Sequence, residues 1–234
     1  NDGLPTERLT HYLAARARGG AGLIITEEQS VHPTDRAYEH LIEAFKPEVV
    51  PHFKQLTRAV HAYDTRIFAQ INHNGQQCSG SLSRLPVWAP SAIPDVMYRE
   101  TPKVMEPEDI HEVQEHFALA ATHVREGGFD GVELQFGHSS LARQFMSCLT
   151  NFRSDEYGGD FENRMRFALE TVAAVRKPSS PDSGGRQFFV VMQDQPSMKG
   201  QYTVFGEVVS GMEVVDQIST TPVDGDKAKE RVEM

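Results

Sequence analysis

Only two cysteines, Cys78 and Cys148, stand among 234 residues. So few, so far apart, exclude a disulfide framework, a paired zinc-ligand spacing and an iron–sulfur cluster. A reducing, cytoplasmic setting is the expectation that follows. No apolar run approaches the roughly 20 residues that a membrane-spanning helix needs, and no basic-then-apolar leader opens the chain. Positive charge is scarce too: 23 Lys and Arg against 33 Asp and Glu leave a formal net charge of −10. That balance argues against a nucleic-acid surface and for small or neutral partners. Internal repeats and low-complexity tracts are absent. The chain begins at Asn1 rather than Met, so its true beginning is expected to have been removed by processing or truncation.

What is there alternates. PTERLTHYLAARARGG (5–20) predicts a helix with Leu9, Tyr12, Leu13 and Ala17 on one face, and AGLIITEEQSV (21–31) a buried parallel strand. PEVVPHFKQLTRAVHAYD (47–64) predicts a second helix, carried by Val49, Phe53, Leu56 and Val60, before a strand in RIFAQINHNG (66–75). The helix expected over 106–128 has the stripe Ile110, Val113, Phe117, Ala121, Val124 and a closing glycine pair. FDGVELQFGHSS (129–140) reads as a third strand, and 160–177 as a helix with Met165, Leu169, Val172 and Val175 on one face. Such alternation means βαβ units and an α/β fold with a parallel sheet. Polar residues gather where each strand ends: Glu27, Glu28 and Gln29; Gln70, Asn72 and His73; Gln135 and His138. Doubly wound sheets and (β/α) barrels both keep their active sites at that end. Past about residue 181 the texture changes to β-rich segments with no further alternation.

Three motifs fail on spacing. In HEVQEH (111–116) the histidines are five apart, roughly 140° around a helix, so the segment reads as a solvated surface. RGGAGLII puts its glycines before a strand rather than after one, the reverse of a dinucleotide fingerprint. DGDK (224–227) lacks the spaced oxygens and final Glu of a calcium loop.

The run from Asp130 to Glu170 resembles the old yellow enzyme family, FMN-dependent (β/α)8 TIM barrels. Its pattern of a strand ending in His, then N-x-R-x-D-x-Y-G-G-x-x-E-N-R-x-R-F, stands here as Asn151, Arg153, Asp155, Tyr157, Gly158, Gly159, Glu162, Asn163, Arg164, Arg166 and Phe167. The resemblance covers about residues 1–176. It implies a partial barrel of strands two to four, binding FMN and reduced by NADH or NADPH. Gln70 would meet the flavin's pyrimidine edge, with Glu28 a minor contact. His138 would hydrogen-bond the substrate's electron-withdrawing oxygen, with Gln135 beside it. The family's proton-donating Tyr falls at Ser140. Arg153, Asp155, Glu162 and Arg164 are expected to lock the loop. The resemblance also implies that the first strand, the fifth to eighth strands and the FMN phosphate anchor lie outside the chain. Open sheet edges would then invite a homo-oligomer.

Residues 180–234 have a resemblance of their own. Gly185-Arg186-Gln187-Phe188-Phe189 and YTVFGEVVSGMEVVD (202–216) look like the second half of a cyclophilin, a peptidyl-prolyl isomerase. That implies a proline pocket lined by Gln187 and Phe189, with Met198 and Tyr202 on its rim, and a proline-containing peptide as partner. The expected organisation is 1–177, a truncated oxidoreductase barrel, and 178–234, a truncated cyclophilin-like segment, joined near Lys177–Ser180. Three readings compete: an FMN-dependent oxidoreductase, a prolyl isomerase, and a non-catalytic chimeric fusion of fragments. The first carries most of the chain and is the reading of its ancestry. The third is the expectation for these residues alone, because the phosphate anchor is missing.

Overall fold

Thr6 starts the first helix by accepting the Leu9 N–H on its Oγ1 at 3.2 Å. The computed structural model describes residues 2–176 and the four residues 223, 224, 227 and 228. The chain divides into two compact units, Asn1–Gly185 and Arg186–Met234. In the first, α1 (Glu7–Arg18) leads to β1 (Leu23–Ser30), the short β2 (Ile42–Glu43), α2 (Val49–His61) and β3 (Arg66–Asn72). A 3-10 turn (Gly75–Gln77), α3 (Gly80–Ser83), β4 (Trp88–Ala89) and β5 (Lys103–Val104) follow. Then come α4 (Pro107–Glu126), β6 (Gly131–Leu134), α5 (Leu141–Met146) and α6 (Phe161–Arg176). In the second unit the described residues form β7 (Val223–Asp224) paired antiparallel with β8 (Lys227–Ala228).

The main sheet is all parallel, in the order β2-β1-β3-β6. Ile24, Ile67, Ala69 and Ile71 point into one core with Leu13 and Ala17 of α1, Val49, Phe53, Leu56 and Val60 of α2, and the whole expected stripe of α4. Burying these side chains is the main stabilising term, at roughly 1.5–3 kcal/mol for each large one.

Two expectations are corrected here. β1 is not buried on both faces: Leu23 and Ile25 remain about half exposed while Ile24 and Thr26 are covered. The four helices α1, α2, α4 and α6 all share the core on one side, so among the described residues the other face of the sheet is open. In α6 the buried face is Phe167, Ala168, Thr171 and Val175, and Leu169 is exposed. Spacing allowed either stripe. The flat stack of Phe145 on Phe167, 4.5 Å between centroids, selected this one.

The glycine pair ends α4 as expected, for two reasons. A Cβ on Gly127 would lie 2.4 Å from Phe53 Cβ, and Gly128 has φ +84°. The third strand is shorter than its sequence suggests. It leaves the sheet after Leu134, where the Gly137 N–H turns back onto Gln135 Oε1 at 3.0 Å.

No helix among the described residues is long and apolar enough to cross a membrane.

Candidate active site

The three long parallel strands end side by side, and their last residues form the site. β1 and β3 pair in simple register up to Ile25 opposite Phe68, then resume at Glu28 opposite Gln70. Two residues of β1 therefore face one of β3, a bulge that places Glu28, not Glu27, beside Gln70. Thr26 fills the bulge, its Oγ1 accepting the Gln70 N–H at 3.3 Å. On the other side Gln70 faces Glu133 of β6, and its Nε2 donates to Glu133 Oε1 at 2.5 Å. The result is a row across three strands, carboxylate–amide–carboxylate, half-buried on the open face. The Gln70 carbonyl oxygen accepts no hydrogen bond from the described residues.

Asn72 ties this row to the next loop. Its Nδ2 donates to Glu28 Oε2 at 2.7 Å and to the Ser139 carbonyl at 2.9 Å. The turn carrying Gln135 and His138 is thereby held against the end of β3. His138 is exposed at its tip, next to Ser139 in a left-handed conformation (φ 52°). Gln135 Oε1 serves its own turn, leaving only its amide N–H groups for a ligand. Ser140 is buried and spent as the N-cap of α5: its Oγ accepts the Arg143 N–H and donates to the Gly137 carbonyl. It cannot replace a proton-donating tyrosine.

The run behind this turn is a lock at Arg153, Asp155 and Arg164, as the resemblance implied, whereas Glu162, expected beside them, is exposed in the first turn of α6. Asn151 Nδ2 donates to the carbonyls of Phe145 and Tyr157, both at 2.7 Å. Arg153 forks onto Asp155 and reaches the Met105 carbonyl, which holds the Asp155 carboxyl below its ordinary range. Arg164 binds the carbonyls of Met146 and Gly159. Gln187, Phe189, Met198 and Tyr202 lie outside the described residues.

Reading the sequence missed two residues near the site, His32 and Asp35. His32 and His73 are buried and joined through Thr34, whose Oγ1 is 2.8 Å from His32 Nδ1 and 3.1 Å from His73 Nε2. Burial drives His73 well below the ordinary histidine range and His32 down to about 4. Asp35 is the other. Its Oδ1 accepts the Asn74 N–H at 3.0 Å, while its buried Oδ2 has no partner among the described residues. Burial, with some help from the Glu28 charge, pushes its pKa up to about 7. The only sequence signal was their place just beyond a strand end, in VHPTD.

Asp35 has a consequence for stability. In the unfolded chain it loses its proton near pH 3.8, whereas folded it keeps it to about 7. The folded state thus binds more protons between these values, and this group's contribution is lost as pH rises through about 7. Asp35→Asn removes that loss. Urea unfolding should find the variant more stable than wild type by on the order of 2–4 kcal/mol near pH 8, with the gap shrinking toward pH 4. A gap of the same size at both pH values would exclude Asp35 as its source.

The family model for the NADH:flavin oxidoreductase / NADH oxidase family matches residues 1–228. The chain belongs to this family. Its relatives include the N,N-dimethylglycine/sarcosine dehydrogenase of Chromohalobacter salexigens, 39% identical over 183 residues, covering 77% of this chain and 26% of that one. The NADPH dehydrogenase of Bacillus velezensis is 38% identical over 169 residues, 72% of this chain and 49% of its own length. Among solved structures, morphinone reductase superposes with a TM-score of 0.72 at 31% identity, over 77% of this chain and 52% of that one. The chain thus spans about a quarter to a half of the curated relatives it matches. Its α/β fold with a parallel sheet resembles the barrels of these old yellow enzyme-like neighbours. The family match runs through the seam expected near Lys177–Ser180, and the isomerase reading finds no support in these comparisons.

Proposed function

We propose that this chain carries the strand-end part of an FMN-dependent oxidoreductase site of the old yellow enzyme type, acting on a small molecule with an activated alkene or related group. The observation that carries the reading is the row Glu28–Gln70–Glu133. A phosphate placed there would meet two carboxylates, so the row suits an uncharged polar edge. The Gln70 amide offers one such edge an acceptor and a donor side by side. On the same open face lie Leu23, Ile25 and Phe68, apolar surface against which a flat ring can rest. The residues present fit the ring of FMN and not its phosphate.

When bound, the flavin supplies hydride chemistry, with NADH or NADPH as its reductant. The chain's own contribution is orientation and charge. Asn72 holds the turn in place, and His138 is the one titratable group that turn presents. As a donor to a substrate's carbonyl or nitro oxygen it stabilises the negative charge that grows there. Gln135 can share that oxygen but cannot carry a proton.

Titrating the purified chain with FMN and following flavin fluorescence tests the proposal. Saturable quenching at micromolar flavin is expected; unquenched emission through that range would sink it. With NADPH and an activated alkene as substrates, His138→Ala should lower turnover by about 10²-fold or more and leave flavin affinity unchanged. Undiminished turnover would remove His138 from the mechanism.

A further inference from the structure

Outside the strand-end row, one cluster of side chains has a use that the oxidoreductase reading leaves unexplained. Helix α4 presents Glu112 and His116 one turn apart on the same face. Opposite them is His32, only 2% exposed, in the loop after β1. His32 Nε2 lies 3.2 Å from Glu112 Oε1, and the His116 ring stands edge-on to the His32 ring at 4.5 Å. One ligand atom from each of the three residues lies within 4.8 Å of the others. The reading of 111–116 as a solvated surface holds for His111 and Glu115, which are exposed, but Glu112 and His116 stand at the edge of that surface, against a buried imidazole.

The hydrogen bonds say which nitrogens are available. His116 Nδ1 is 2.9 Å from the Glu112 backbone carbonyl, which can only accept, so Nδ1 carries the proton. Its Nε2 is left with a free lone pair and an anchored ring, the arrangement that metal-ligating histidines adopt. His32 is anchored by Thr34. His73 Nδ1 accepts the Gly75 N–H at 3.0 Å, so its Nε2–H donates to Thr34 Oγ1. The Thr34 hydroxyl then donates to His32 Nδ1, and the His32 proton sits on Nε2, shared with Glu112. A cation can take that proton's place. His32 then holds its hydrogen on Nδ1 and donates to Thr34 Oγ1, whose hydroxyl rotates to accept. The Thr34 N–H, 3.3 Å from the same nitrogen, gives up its acceptor. Metal binding therefore rearranges two hydrogen bonds at Nδ1.

We propose that His32, Glu112 and His116 form a binding site for a divalent late first-row metal ion, with Zn²⁺ the ion that fits. Two imidazoles and a carboxylate are a donor set that Zn²⁺ takes in tetrahedral geometry, with water in the fourth position. Glu112 is half exposed, so that position opens to solvent. Trp88 closes the opposite side, its ring 4.9 Å from that of His32. The ion would clip the loop after β1 to α4 and stabilise the fold by mass action.

Co²⁺ is the spectroscopic probe, added to the full chain and then displaced with Zn²⁺. The expected result is a saturable visible band at one equivalent, lost on Zn²⁺ addition, and a higher melting temperature with Zn²⁺. His116→Ala and Glu112→Gln, both on the helix surface, should each weaken Co²⁺ binding at least about tenfold. His111→Ala should bind as wild type does. Melting of each variant without metal shows that it is folded; should His116→Ala fail to fold, Glu112→Gln decides. No saturable band in the wild type would overturn the proposal. So would equal affinity in wild type and the folded variants, which would put the metal on other histidines.

Discussion

Gly158→Ala is expected to lower the free energy of unfolding by about 2–4 kcal/mol. The added Cβ would lie 2.2 Å from the Arg153 carbonyl oxygen and 2.6 Å from its carbonyl carbon, both backbone atoms. Backbone can yield only if its anchors yield. Arg153 is held at one end by Asp155 and the Met105 carbonyl, and Asn151 clasps the same loop through two buried carbonyls. The Gly158 N–H itself bonds the Asp155 carbonyl at 3.1 Å. Relief through Asn151 breaks buried hydrogen bonds, and relief through Arg153 breaks its ion pair and its bond to Met105. Gly159 supplies the control. It has φ +81° but open space around it, so Gly159→Ala should cost only the left-handed backbone penalty, about 1–2 kcal/mol. Urea unfolding of the two variants side by side measures both. Equal costs would mean that the loop relaxes freely and that the lock is weaker than its hydrogen bonds indicate.

Gln70→Ala is expected to weaken FMN binding about 10- to 100-fold while leaving the melting temperature near that of wild type. Removing the amide deletes both hydrogen bonds that it can offer a ring edge, on the order of 1–3 kcal/mol of binding. The fold should tolerate the change, because Glu133 is only half-buried and water can replace the lost donor. Gln70→Glu is the sharper variant. It puts a third carboxylate between Glu28 and Glu133, and repulsion along the row should weaken flavin binding at least as far. Flavin fluorescence titration measures both. Wild-type affinity in the two variants would place the flavin somewhere other than this row.

Much of the architecture was legible because its causes are local. Helix spacing in 47–64 and 106–128 picked out the apolar core residues of α2 and all but Ala120 of α4, since one face of each meets a single continuous core. The lock was legible in part: the family resemblance marked Arg153, Asp155 and Arg164, whose charged groups find carboxylate and carbonyl partners, whereas Asn151 was not singled out for it and Glu162 is exposed. Face choice in α6 was not legible, because two stripes satisfy the same spacing and a ring stack from α5 selects between them. Fold family and the strand-end position of Gln70 and His138 came from motif and alternation together.

Glu133 as the partner of Gln70 depends on register between strands more than sixty residues apart in sequence. Glu28 reaches the row only because a bulge at Thr26 shifts β1 by one residue, and no alternation pattern announces a bulge. His32, Glu112 and His116 illustrate the same limit. Within HEVQEH, histidine spacing argues correctly against two ligands from His111 and His116. It cannot see a third side chain arriving from another loop. What the sequence alone determined, then, is which residues are buried by period, where strands end, and which residues near one another lock together. What the tertiary structure decided is everything set by register, bulges and the meeting of distant loops, because side-chain chemistry acts over a few ångströms and the chain does not bring these residues together until it folds.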